Sequence, residues 1–165
     1  LRQKGYNVTL SIIGDGPQAT ELQQRLAQSG VCGAQFHGAV TPEQVPPLLS
    51  GVDIAIAPYP QLENFYFSPL KIYEYMAAGL PVITTRVGHL AELVNDGETG
   101  LLVAPENPTA LAQAVIALIN NPTLRQQMGN AGRREAEQHH SWTQAVNRIW
   151  QLAGLRLPAG ACDGR

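Results

Sequence analysis

Short β-branched runs recur between amphipathic helical segments along almost the whole chain, and this alternation restricts the fold more than any other feature. The runs fall at residues 7–13 (NVTLSII), 34–38 (AQFHG), 53–58 (DIAIAP), 81–84 (PVIT) and 100–103 (GLLV). Helical periodicity fills the intervals, at residues 17–29, 69–78, about 89–94, 108–120, 122–138 and from Ser141 onward. Strands separated by helices pair in parallel, because each crossover returns the chain to the same end of the sheet. The predicted fold is therefore an open parallel α/β sheet of five strands with helices on both faces. A single domain is expected over residues 1–153, with a frayed tail at 154–165.

Local punctuation agrees with that reading. Gly14-Asp15-Gly16-Pro17 closes the first strand and opens a helix. Thr41 precedes Pro42 and stands three residues before Gln44, the pattern of a capped helix start, while Pro46 and Pro47 make that helix irregular. Ser68 sits where an N-cap belongs and Pro69 where a helix begins. Gly79 is placed to end that helix in the left-handed conformation that glycine adopts at least cost. Leu111, Val115 and Leu118 form an apolar stripe assigned to the core.

Composition narrows the partners. The net charge is -2 and the 11 Lys and Arg residues are scattered, so no basic stripe is available to neutralise a nucleic-acid backbone. No apolar run approaches the roughly 18 residues of a transmembrane segment. Cys32 and Cys162 lie far apart without metal-ligand spacing, and His139 and His140 lack partners, so no metal and no cofactor are expected. Idle thiols fit a reducing, cytoplasmic setting. The chain starts at Leu1 with no leader sequence and reads as part of a longer protein. Peripheral contact of the full-length protein with a membrane stays open.

Ligands of open parallel sheets bind beyond the carboxyl ends of the strands. Gly14 and Gly16 would let backbone approach a ligand there, with phosphate at the following helix N-terminus; a tight turn and nothing more is the alternative. A stronger candidate is residues 68–82 (SPLKIYEYMAAGLPV). At that helix start the amides of Leu70 and Lys71 would face the strand ends, and the Lys71 side chain would add a full charge suited to a diphosphate. Glu74 lies one turn on, able to accept from a vicinal diol. The plainer alternative makes Lys71 and Glu74 solvated helix residues and Ser68 only a cap.

Residues 68–82, with residues 53–58, resemble the C-terminal domain of family 4 (group 1) glycosyltransferases of GT-B fold. The resemblance continues through residues 14–17 (GDGP), 36–38 (FHG), Gly88 with Glu92, residues 96–103 (DGETGLLV) and Ser141-Trp142, all in the family's order. It implies a Rossmann-like domain forming the C-terminal half of a GT-B enzyme, here lacking its first strand and loop. The missing N-terminal domain of the same chain would bind the acceptor. The implied partner is a nucleotide diphosphate sugar, and the implied reaction is sugar transfer with retention of anomeric configuration, this portion alone being inactive. Ser68, Leu70 and Lys71 would meet the diphosphate and Glu74 the ribose. Gly14, Gly16, His37, Gly38 and Val40 would line the crevice near the nucleobase. Tyr66 stands where the family carries the first glutamate of its Glu-x7-Glu motif, so the donor-sugar contact falls to Tyr66 or to Glu63 nearby. A non-catalytic nucleotide-sugar-binding module and a nucleotide-sugar epimerase of similar architecture are the alternatives.

Overall fold

In the computed structural model, which describes residues 1, 4–30, 33–61 and 68–154, five strands form: β1 (Leu10–Ile12), β2 (Ala34–Phe36), β3 (Ala55–Ala57), β4 (Val82–Thr85) and β5 (Gly100–Val103). All pairing between them is parallel. The helices are α1 (Ala19–Gln28), α2 (Val45–Leu49), α3 (Leu70–Ala77), α4 (Leu90–Leu93), α5 (Pro108–Asn120), α6 (Pro122–His139) and α7 (Trp142–Leu152). A 3-10 turn at Pro42–Gln44 leads into α2, and Gln44 Oε1 accepts from Thr41 N at 2.8 Å, as the capping pattern predicts. The architecture is Rossmann-like α/β, with helices on both sides of parallel sheets.

The sequence predicts one five-stranded sheet; hydrogen bonding forms two, ordered β1-β2 and β3-β4-β5. The chain likewise divides into two compact units, Leu1–Val52 and Asp53–Arg165. Among the described residues no strand pairs with the other edge of β1 or of β3. The smaller unit is correspondingly thin in core. Leu49 is its buried apolar residue among those described, and α1 buries none, leaving Leu22 exposed.

The larger unit holds the core. Ile72 and Met76 of α3 are fully buried and pack with Ala57, Val82, Leu90 and Val94. Spacing of i and i+4 puts both on one helix face, which leaves Lys71 and Glu74 on the solvent side. Gly79 takes φ +73 and closes α3 as predicted. Its amide donates to Met76 O at 2.9 Å and Leu80 N donates to Tyr75 O at 3.0 Å, the paired bonds of a Schellman cap. Asn107 caps α5 and Asn121 caps α6 through their side-chain oxygens. Of the predicted stripe in α5, Val115 and Leu118 are buried. Leu111 is only half-buried, because it faces a cavity at the strand ends.

The residues 96–103 run is architectural. Asp96 Oδ1 accepts from Leu102 N at 2.9 Å and its other oxygen pairs with Arg86. Thr99 is buried and its hydroxyl accepts from Asn95 N at 3.0 Å. Gly100 has no room for a side chain: a Cβ there would overlap Val82 O.

Candidate functional site

Two sets of predicted residues are brought together, one in each unit. In the smaller unit Gly14, His37 and Gly38 meet at the carboxyl ends of β1 and β2. Gly14 N donates to Gly38 O and His37 N to Ile12 O, each at 2.9 Å. Both glycines have positive φ, +120 and +67, where a side chain would be strained. His37 Nε2 lies 2.9 Å from Ser11 Oγ on β1, so its ring is tied to its own unit. Gly16 follows in the loop, its amide held by Asp15 Oδ1 at 2.8 Å. Val40 is half-buried.

The second set surrounds the start of α3, and the structure corrects the predicted cap. Ser68 makes no capping bond; Pro69, at φ -82 and ψ 26, is the cap residue and the helix proper begins at Leu70. Pro69 O accepts from Ile72 N at 2.8 Å and Tyr73 N at 3.3 Å. That backbone carbonyl orders the first turn, so the Ser68 hydroxyl has no capping task. The amides of Leu70 and Lys71 find no acceptor among the described residues. Leu70 is 62% exposed despite being apolar. What this turn offers a ligand is therefore backbone donors with the positive end of the helix dipole.

Lys71 and Glu74 are exposed, and among the described residues neither enters an ion pair. The Lys71 ammonium instead lies over the Tyr59 ring, 5.1 Å from its centroid. Tyr59 is buried, and its backbone is clamped by one hydroxyl. Thr85 Oγ1 donates to Tyr59 O and accepts from Tyr59 N, both at 2.9 Å. Thr84 Oγ1 likewise donates to Ala57 O at 2.7 Å. Burial pushes the Tyr59 phenol up. Burial foremost, then the Glu74 carboxylate and Tyr59, push the Tyr75 phenol up as well.

Sequence reasoning missed Tyr59 and Thr85. A signal was present: residues 81–85 (PVITT) end an apolar strand with two hydroxyls. Buried hydroxyls are costly unless bonded, so each needed a partner: Thr84 found the backbone at the last residue of β3 and Thr85 the backbone just beyond it.

A cavity of about 300 Å³ opens at the carboxyl ends of β3, β4 and β5, against Pro58, Tyr59, Thr85, Val103 and Leu111. The segments that follow β3, β4 and β5 reach it through Pro58, Thr85 and Ala104. Its rim includes Glu106, held at φ 56, a conformation that non-glycine residues seldom adopt. The predicted contacts at Glu63 and Tyr66, and both Cys32 and Cys162, lie outside the described residues, as does the tail from residue 155. Among the described residues no group of three or more His, Cys, Asp or Glu is gathered, and no helix is long and apolar enough to cross a membrane.

Known proteins share both sequence and fold with this chain. An uncharacterized glycosyltransferase of Methanocaldococcus jannaschii is 30% identical over 143 residues, covering 87% of this chain and 39% of that protein. The phosphatidyl-myo-inositol mannosyltransferase of Mycobacterium leprae is 30% identical over 148 residues, 88% of this chain and 37% of its own. The chain thus spans well under half the length of these curated relatives. A solved Anabaena structure in complex with UDP-glucose superposes with TM-score 0.73 and 25% identity, over 90% of this chain and 41% of that one. The sucrose-phosphate synthase of Thermosynechococcus elongatus gives TM-score 0.77 and 25% identity, over 88% and 38%. The family model described as glycosyl transferases group 1 matches residues 1–121, and the chain belongs to that family.

Proposed function

We propose that this chain is the donor-binding half of a retaining glycosyltransferase that takes its sugar from a nucleotide diphosphate donor. The observation that carries the reading is the first turn of α3, where two amides with no acceptor among the described residues share one end of the helix with the Lys71 ammonium, and Glu74 follows one turn later. The UDP-glucose bound by the Anabaena neighbour supports a donor of that class. When the bond between sugar and diphosphate breaks, negative charge collects on the departing phosphates. Amides and a cation already in place stabilise that charge without reorganising. Glu74 suits the ribose diol, since a carboxylate accepts two hydroxyl bonds at once. The nucleobase is assigned to the crevice of Gly14, Gly16, His37, Gly38 and Val40, and the donor sugar to Glu63 or Tyr66. Retention is proposed on the family resemblance alone.

The acceptor is assigned to the part of the protein beyond this chain. α7 supports that assignment. Its polar residues Gln144, Asn147, Arg148 and Gln151 line a groove with His139 and His140. Its apolar residues Trp142, Ile149 and Leu152 are 86%, 65% and 80% exposed. An amphipathic helix that turns its apolar face outward needs a cover, and an N-terminal acceptor domain would provide it. The cytoplasm, where idle thiols persist, is the assigned setting, with membrane contact confined to that missing part.

The test is a screen of UDP, GDP and ADP sugars with the full-length protein, reading the anomeric configuration of the product. Transfer with retention by the full-length protein, and none by the 165-residue chain alone, is the expected outcome. An inverted product, or donor binding without turnover across the whole screen, would contradict the proposal.

A further inference from the structure

We infer that Tyr59 is a positioning residue, holding the Lys71 ammonium at the start of α3 so that the cation is ordered before any anion arrives. The inference rests on the donor-site reading of Lys71 and adds to it a means of control. A lysine cation on a flexible stem ordinarily loses much rotamer freedom when a ligand fixes it. Here the Lys71 Nζ already lies 5.1 Å from the Tyr59 centroid, inside the range over which a ring face attracts a cation. No carboxylate among the described residues pairs with Lys71.

The ring can serve as a fixed platform only if its own backbone is fixed. Thr85 Oγ1 achieves this with two bonds of 2.9 Å, one donated to Tyr59 O and one accepted from Tyr59 N. Thr85 is 3% exposed and pairs with Val103 at the end of β4. Register is thereby passed from the central strand of its sheet through one hydroxyl to Tyr59, and from its ring to the cation. A tyrosine phenol is protonated at neutral pH and burial only pushes its pKa further up, so the ring face is that of a neutral tyrosine.

A double-mutant cycle in the full-length protein tests this. Affinities for UDP, GDP and ADP are measured against uridine, guanosine and adenosine, and the ratio for the tightest pair gives the phosphate increment. Lys71→Ala should lower that increment. Tyr59→Leu should lower it about two- to fivefold with Lys71 present and leave it unchanged in the Lys71→Ala background. Tyr59→Phe should match wild type. A phenylalanine with ring fluorines at position 59, which keeps the shape but depletes the ring face, should behave like Tyr59→Leu and covers the case in which the leucine variant fails to fold. An equal effect of losing the ring face in both backgrounds, or no effect in either, would overturn the positioning role. An increment indifferent to Lys71→Ala would instead sink the donor-site reading on which it rests.

Discussion

Glu74→Ala is expected to weaken nucleoside diphosphate binding to the full-length protein by roughly 100-fold while leaving its melting temperature within a degree or so. Two hydroxyl bonds to a carboxylate are each worth about 1.5–3 kcal/mol. Solvent exposure of Glu74 puts the loss toward the low end, about 3 kcal/mol in all, and about 1.4 kcal/mol is tenfold in affinity. The fold is spared because Glu74 stands on the solvent side of α3, opposite the buried Ile72 and Met76. A 2′-deoxy nucleoside diphosphate sharpens the measurement. It should bind wild type about tenfold more weakly than its ribose parent, having lost one of the two bonds, yet bind Glu74→Ala no more weakly than the parent does. Equal calorimetric affinities for all four pairs would leave Glu74 a solvated helix residue.

Gly129→Ala should be the most damaging single-methyl addition to the larger unit. In α6 a Cβ at this position would overlap Gly79 O and come 2.9 Å from the Gly79 carbonyl carbon. Both are backbone atoms of the cap that ends α3, so neither can rotate aside. Overpacking of this kind costs about 3 kcal/mol at the upper end of its usual range, with a fall in Tm of roughly 10 °C or more for a unit of this size. Gly132→Ala, one turn further along α6, is the control. Its nearest atom is Met76 Cγ at 3.5 Å, an ordinary contact. The helix propensity gained over glycine should make that change neutral or stabilising by up to about 1 kcal/mol. Thermal unfolding of the two variants beside wild type decides the matter. Similar melting points for both would mean that α3 and α6 are not in such close apposition.

Much of the fold is legible because it rests on short-range chemistry. β5 matches residues 100–103 as read from GLLV, and α5 matches residues 108–120 as bounded by Pro108 and Asn121. The left-handed end of α3 follows from Gly79, since that backbone conformation is strained for any other residue. Where two devices compete for the same task, sequence cannot choose. Ser68 has the chemistry of a cap, yet Pro69 O orders the turn, and only coordinates reveal which does so. Division into two sheets is likewise invisible in a sequence whose five strands all carry strand character, because pairing depends on which neighbour is at hand. At the candidate site, Lys71 and Glu74 are legible from helix geometry. Tyr59 and Thr85 are not, since they lie 26 residues apart and are joined by sheet register.

The helix start itself is where the donor reading stands or falls. A proline at position 70 would delete one of the two first-turn amides, but it would also drive Pro69 away from its ψ of 26, so charge is the cleaner variable. The decisive measurement is calorimetric affinity of the full-length protein for nucleoside against nucleoside diphosphate, at fixed salt because screening weakens exposed charges. Wild type should prefer the diphosphate by about tenfold or more, and Lys71→Ala should narrow that preference without abolishing it, because the amides and helix dipole remain. Lys71→Glu should narrow it further. A wild-type protein that binds nucleoside and nucleoside diphosphate alike would show that the start of α3 holds no phosphate, and would contradict the account at its centre.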